Sequence, residues 1–391
     1  MRVLIFTHHY LDDNSGGSFA SRAYINAFSE IADTCMLMYP DRGIPITDFI
    51  HKKCILHGVR NDRSKLSKLL DYYRGRIHRY MDVMMPQINE FKPDIVVFDN
   101  SRTTGGMLKS IKAKGIKTIT IHHNYEMEYY RGTKPSILWR IPFMHYMEEA
   151  EGTAVLFSDL NLTLTEADKS LLQKHYDPHL TSKIMKLGSF ESNRDSSSSE
   201  SKVTRSGSKS INDLCFVISG TLGSYQTEVS VLPFLKNEYP LLLEKFPNSK
   251  LIITGRRPSL KMIKACALFP SINLLANPDN MQEIIAQADV YICPTCVGGG
   301  LKLRVMDGLK AGLPVISHAV SARGYEDFSA EKCMFIYDSK DSFKECLDEI
   351  GRQIKEGNPD PEKIKKIYNH VFQFDSGVNR LKDILIQTKM I

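Results

Sequence analysis

Residues 191–210, ESNRDSSSSESKVTRSGSKS, hold almost no apolar side chain. A stretch of that composition cannot bury enough surface to offset its ordering entropy, so it reads as a linker or loop between folded parts. It divides 391 residues into two similar lengths, each of a size suited to one domain of about 100–200 residues. Both parts alternate short apolar runs with helical patterns. The first offers RVLIF, DIVVFD (94–99), KTITIHH (117–123) and LNLTLT (160–165), with helices over Phe19–Ile31, Pro142–Phe157 and 166–176. The second offers LCFVISG (214–220), KLIITG (250–255), DVYICP (289–294) and LPVISH (313–318), with helices at 229–245, 281–288, 339–356 and 376–388. Continuous apolar runs suit strands covered on both faces, and strand–helix alternation predicts parallel α/β sheets. The expected architecture is therefore two doubly wound, Rossmann-like α/β domains facing each other across a cleft. The expected boundaries are 1–190, a Ser-rich linker at 191–210, 211–360, and closing helices 361–391 that could pack back on the first domain.

Composition restrains the functional classes. Lys and Arg exceed Asp and Glu by 51 to 45, a mild excess compatible with an anionic ligand or membrane surface and too small to argue for nucleic acid. The apolar run in MRVLIFTHHY is too short for a signal-peptide core, and no run approaches the roughly 18–20 residues of a membrane span. A cytoplasmic location follows as the expectation, peripheral on the inner face of a membrane if the basic segment described below makes contact. The eight cysteines are scattered, as buried small hydrophobes would be.

Chemistry concentrates in CPTCVGGGLKLRVMDGLKAG, residues 293–312. Its Cys-x-x-Cys has no second pair to complete a zinc site, and Cys293 falls at a strand end rather than at a helix start. The glycines fit phosphate better. Gly298, Gly299 and Gly300 let backbone N–H groups approach a ligand, a helix start follows, Lys302 and Arg304 supply full charge, and Asp307 could accept from a ribose hydroxyl. The bland alternative is a glycine turn flanked by solvated cations.

The segment GGGLKLRVMDGLKAGLPVIS resembles the C-terminal signature of GT-B fold glycosyltransferases of the retaining group 4 type. Pro294, Gly298, Gly299, Gly300, Lys302, Arg304, Gly312, Pro314 and Val315 all fit it. FVISGTLGSYQTEVS, KLIITGRRP, NPDNMQEIIAQADVYICP and SARGYEDF are similar to neighbouring family segments, so 215–330 is covered well. The first half is covered more thinly, through Gly16–Gly17 and HHNYEMEYYR (122–131). The family's Glu-x7-Glu pair is replaced by Gly299 and Asp307, and the loop GTLGSYQT lacks the cations common there. Phosphate neutralisation would then rest on Lys302, Arg304 and Arg256 or Arg257.

The resemblance implies transfer of a sugar from a nucleotide-diphosphate sugar to an acceptor hydroxyl with retention, without a metal or other cofactor, in the manner of enzymes of cell-surface polysaccharide or glycolipid synthesis. It implies His123, Lys302 and Arg304 as catalytic residues. The donor side would comprise Gly16, Gly17, Gly220, Thr221, Arg256, Gly298, Gly299, Gly300, Leu301, Asp307 and Glu326. Asn124, within His-Asn-x-Glu, would join His8 and His9 on the acceptor side, for which a glycan or lipid-linked acceptor is expected. His122 is the rival to His123.

Residues 60–80, RNDRSKLSKLLDYYRGRIHRY, form the main basic cluster, with Leu66, Leu69, Leu70, Tyr73, Ile77 and Tyr80 at helical spacing. It reads either as a helix resting on anionic lipid or as an ordinary surface helix whose apolar face joins the core. Two other functions stay open. One is a GT-B protein that binds nucleotide sugar without catalysis. The other is a dinucleotide-dependent oxidoreductase, against which stands the absence of Gly-x-Gly-x-x-Gly after the first strand of either half.

Overall fold

The structure is a computed structural model that describes residues 1–60, 64–77, 79–131, 137–194, 213–357 and 360–391. Residues 195–210 of the serine-rich segment, and Arg63 of the basic cluster, lie outside the described residues. The chain forms two compact units, Met1–Ser197 with Val371–Ile391, and Ser198–His370.

The first unit is built on seven strands: β1 (Arg2–Thr7), β2 (Thr34–Pro40), β3 (Cys54–Val59), β4 (Ile95–Asp99), β5 (Lys117–His122), β6 (Leu160–Thr163) and β7 (Ile184–Lys186). All neighbours are parallel, in the order β3-β2-β1-β4-β5-β6-β7. β1 lies at the centre, and Val3, Leu4, Ile5 and Phe6 are at most 1% exposed, which explains why RVLIF carries no polar alternation. Leu4 and Phe6 join Val96, Phe98, Ile88 and Tyr80 in one core cluster. The last helix, Phe374–Gln387, packs against the helix Gly16–Ile31.

The second unit has six strands: β8 (Cys215–Thr221), β9 (Lys250–Arg256), β10 (Ile272–Ala276), β11 (Val290–Cys293), β12 (Val315–His318) and β13 (Met334–Tyr337). They are again all parallel, in the order β10-β9-β8-β11-β12-β13. In both sheets the winding direction reverses beside the first strand, at β1/β4 and at β8/β11. Loops leaving such a pair diverge, and the opening at the carboxyl ends is where open α/β sheets bind ligands.

Three expected elements take a different form. The helix expected from Phe19 begins at Gly16, capped by Ser15, whose Oγ accepts the Ser18 N–H. Gly16 and Gly17 therefore belong to the first turn of a helix rather than to a loop. The helix expected over 229–245 is two helices, Tyr225–Asn237 and Tyr239–Lys245. The segment 60–80 contains only a nine-residue helix, Lys65–Tyr73. Beyond it Ile77 and Tyr80 enter the core, where the single proton of the Tyr80 hydroxyl is shared between the carbonyls of Thr7 and Met38.

Gly255 shows how tightly the second sheet is drawn at its carboxyl edge. It pairs with Gly220 across β8 and β9, at φ +152°, and an added Cβ would overlap the Gly220 carbonyl oxygen. Backbone cannot swing aside as a flexible side chain can. Gly255→Ala is expected to cost about 2–4 kcal/mol in urea unfolding. A midpoint unchanged from the parent would show that the close approach does not constrain this sheet.

Candidate functional site

In the first unit the polar residues gather at the carboxyl ends of β1, β4 and β5. Asp99, the last residue of β4, is fully buried. Its Oδ2 accepts from Thr7 Oγ1 at 2.6 Å, and its Oδ1 lies 2.7 Å from His123 Nε2. Burial opposes ionisation of Asp99, yet the charge and hydrogen bond of His123 hold its carboxyl below the usual range. His123 stacks on His9 with centroids 5.1 Å apart, and Tyr24 meets its ring edge-on. His9 in turn packs against Gly17, where a Cβ would overlap the imidazole. Glycine at 17 thus lets the helix start approach the ring.

His122 and His123 follow different paths. His122 Nε2 bonds to Asn161 Oδ1 at 2.9 Å, while Asn161 Nδ2 donates to the Val155 carbonyl. The His122 ring points into the sheet and is fully buried. Asn124 Nδ2 donates to Glu126 Oε1 at 2.9 Å, as does Asn100 Nδ2 at 2.8 Å. Burial raises the Glu126 carboxyl above its ordinary range. His8 Nε2 lies 3.3 Å from Arg102 Nη1. Asp99, Tyr24 and Arg102 escape sequence reading because 24 residues separate Asp99 from His123 and 94 separate Arg102 from His8. The one available hint for Asp99 was a carboxylate closing an apolar strand.

In the second unit the loop 294–303 leaves β11 and enters the helix Arg304–Lys310, beside the turn that joins β8 to the helix Tyr225–Asn237. Arg304 Nη1 bonds to Thr227 Oγ1 at 3.2 Å and Thr295 Oγ1 at 3.4 Å, with its guanidinium against Gly220. Lys302 is 8% exposed, and its Nζ donates to the Gly299 carbonyl at 2.6 Å. The Tyr325 hydroxyl donates to the Lys302 carbonyl and fixes that turn from below. The space beside Gly298 is bounded by Gln226 Nε2 and Lys302 Nζ. The Gln226 amide nitrogen is buried with no hydrogen-bond partner among the described residues, and no sequence motif had singled it out.

The remaining positions sit around this loop. Leu301 is buried, Thr221 is exposed at the end of β8, and Arg256 is exposed opposite it on β9. Asp307 Oδ1 accepts from Gln282 Nε2 at 3.1 Å. Glu326 is exposed and accepts the Gly324 N–H. Cys293 and Cys296 are stitched into the loop by neutral contacts: Cys293 Sγ to Thr295 Oγ1, and the Cys296 N–H to Ser230 Oγ. No cluster of His, Cys, Asp and Glu among the described residues is arranged to hold a metal.

The segment 216–353 matches the family model for Glycosyl transferases group 1. Solved structures match along the whole chain. The Anabaena protein HepE in complex with UDP is 10% identical, with a TM-score of 0.67 over 99% of this chain and 100% of that one. A glycosyltransferase from Rickettsia africae is 12% identical, with a TM-score of 0.67 over 99% and 98%. WaaG, a glycosyltransferase involved in lipopolysaccharide biosynthesis, is 15% identical, with a TM-score of 0.58 over 99% of both chains. The fold is GT-B. No curated protein sequence matches the chain.

Burial of the imidazoles gives the first unit a pH signature. Burial lowers His122 from 6.5 to about 4 and His9 to about 3. Below pH 6.5 the unfolded chain takes up protons that the folded chain refuses until those lower values, so stability falls as pH drops through that window. His122→Gln should flatten the dependence of unfolding free energy on pH by about 1.4 kcal/mol per pH unit between roughly pH 6.5 and 4. Parallel curves for parent and variant would show that His122 is not held neutral.

Proposed function

We propose that the chain transfers a sugar from a nucleotide-diphosphate sugar to an acceptor hydroxyl, with retention and without a metal. The observation that carries this reading is the pair Lys302 and Arg304 at the switch point of the second sheet. The negative charge that develops on a leaving diphosphate needs fixed positive partners. Arg304 is oriented by two threonine hydroxyls, and its charge is therefore not cancelled by those contacts. Gln226 adds an unsatisfied amide donor beside Gly298. In this reading Gly298, Gly299, Gly300, Gly220 and Thr221 border the diphosphate, Arg256 and Glu326 lie at its edge, and Asp307 reaches the ribose. His123, oriented by Asp99, hydrogen-bonds the donor sugar. His8, His9 and Asn124 form the acceptor side, and Gly16 and Gly17 permit close approach there. Anabaena HepE, similar in fold, has been solved with UDP-glucose, which supports a nucleotide sugar as donor.

A thermal-shift panel of UDP, GDP, ADP, CMP and NADH tests this. One nucleoside diphosphate is expected to stabilise the parent, and Lys302→Ala should weaken it about tenfold or more, the worth of a charge-assisted contact. Stabilisation by NADH alone, or a Lys302→Ala variant that binds like the parent, would sink the assignment. Turnover with the matching nucleotide sugar then separates an enzyme from a non-catalytic binder.

A peripheral membrane setting, with a lipid-linked acceptor in cell-surface glycan or glycolipid synthesis, is favoured by the helix Lys65–Tyr73. Leu66, Leu70 and Tyr73 are 67%, 44% and 54% exposed there, next to exposed Lys65 and Arg74. Apolar side chains flanked by cations suit an anionic lipid surface. Among the described residues no helix is long and apolar enough to cross a membrane. The protein should float with phosphatidylglycerol vesicles and stay behind with phosphatidylcholine alone, and Leu66→Glu with Leu70→Glu should abolish flotation. Equal behaviour with both lipids would remove the membrane from this reading.

A further inference from the structure

Arg79 does not share the exposed face of the helix Lys65–Tyr73. Tyr80, anchored to the carbonyls of Thr7 and Met38, draws the chain across the carboxyl end of β1, and the Ile77 N–H donates to the Gly105 carbonyl. Arg79 is thereby set against Tyr10, with its guanidinium carbon 5.6 Å from the ring centroid and Nη2 3.4 Å from the hydroxyl. Arg102 arrives from the end of β4, its guanidinium lying against Phe143 and Tyr130. Both arginines are near enough to His8 to disfavour its protonation.

The hydrogen-bond inventory of this group is one-sided. An arginine only donates, so the contact from Arg102 Nη1 makes His8 Nε2 the acceptor and leaves the imidazole proton on Nδ1. That His8 Nδ1 is buried with no hydrogen-bond partner among the described residues, and so is Arg79 Nε, although the Arg79 side chain also lies beside the Tyr80 hydroxyl. Neither Arg79 nor Arg102 forms an ion pair among the described residues. The nearby carboxylates are engaged elsewhere: Asp12 holds Arg42, Asp99 holds Thr7 and His123, and Glu126 accepts from Asn100 and Asn124 while attracting Arg102 only through space. Buried donors without acceptors are destabilising, because the hydration they lose is not replaced. The His8 N–H and Arg79 Nε, flanked by the Arg102 guanidinium and the Tyr10 hydroxyl, lack among the described residues what an oxyanion supplies, acceptor oxygens and negative charge. Tyr10, 36% exposed and in contact with Arg79, brings the group to the protein surface.

Resting on the glycosyltransferase reading above, we infer that Arg79, Arg102, His8 and Tyr10 form an anion subsite in the first unit that receives a phosphate ester carried by the acceptor. The subsite lies wholly in the first unit and shares no residue with the donor loop of the second.

The full chain is titrated calorimetrically with inorganic phosphate, with glucuronate and, separately, with the nucleotide found above. The variants are Arg79→Gln, the charge-preserving Arg102→Lys, and Lys302→Ala, each checked by thermal melting. Phosphate is expected to saturate the parent and Lys302→Ala alike, and to bind about tenfold or more weakly to Arg79→Gln and Arg102→Lys, since both lose directed donors. Nucleotide affinity should hold in those two variants. No saturable phosphate binding, loss in Lys302→Ala alone, or tighter binding of glucuronate than of phosphate would each overturn the inference. Failure of every nucleotide to bind the parent would instead overturn the donor reading and leave the phosphate result standing by itself.

Discussion

One buried carboxylate organises the first unit's strand ends. Removing an ionised carboxylate from water costs several kcal/mol unless hydrogen bonds and opposite charge replace the lost hydration. Asp99 obtains both, from Thr7 on β1 and from His123 beyond β5. The same two contacts join three neighbouring strands at the point where their loops part. Consequences follow outward. His123 is fixed in orientation, His9 stacks on it, and the bulk of His9 excludes any side chain at position 17. The helix Gly16–Ile31 can then start directly beneath the ring, with Ser15 as its cap.

The second unit solves a different problem at its own switch point. Arg304 is held by groups that carry no charge, the hydroxyls of Thr227 and Thr295, and a backbone carbonyl is among the contacts of Lys302. A carboxylate in place of those threonines would have fixed the guanidinium more firmly and neutralised it. Neutral acceptors orient Arg304 while preserving its field, which is the arrangement a developing diphosphate charge requires. Packing does the rest, because Tyr325 supports the Lys302 carbonyl and Tyr291 lies against Gly308 beneath the helix that bears Arg304.

Much of this was legible from sequence because it rests on local pattern. Runs such as RVLIF and KLIITG are apolar throughout because both sheet faces are covered, and the Gly-rich loop with Lys302 and Arg304 carries its chemistry within a few residues. Partly exposed strands were harder. β10, INLLA, has only half-buried and exposed positions, β3, CILHGV, is buried only at its two ends, and neither is covered on both faces as the central strands are. The basic segment misled for a related reason: its helical spacing continues to Tyr80, but the helix ends at Tyr73, Gly75 turns the chain at φ +62°, and Ile77 and Tyr80 go into the core. Asp99, Arg102 and Gln226 act through partners distant in sequence, and no spacing rule reaches them.

The distribution of protonation between imidazole and guanidinium separates two properties, stability and binding charge, that a histidine-based site would link. His8, His9 and His122 are all held neutral by burial, and neighbouring positive charge reinforces this for each of them. Positive charge beside His8 and Tyr10 therefore resides on Arg79 and Arg102, which stay protonated across the range in which proteins work. Acidification below pH 6.5 consequently loads protons on the unfolded chain and erodes stability, yet it leaves the field around Tyr10 and Arg102 unchanged until the fold itself gives way. A histidine-based anion site would have tied affinity to pH. An arginine-based one lets the fold carry the pH dependence while the binding surface keeps a constant charge.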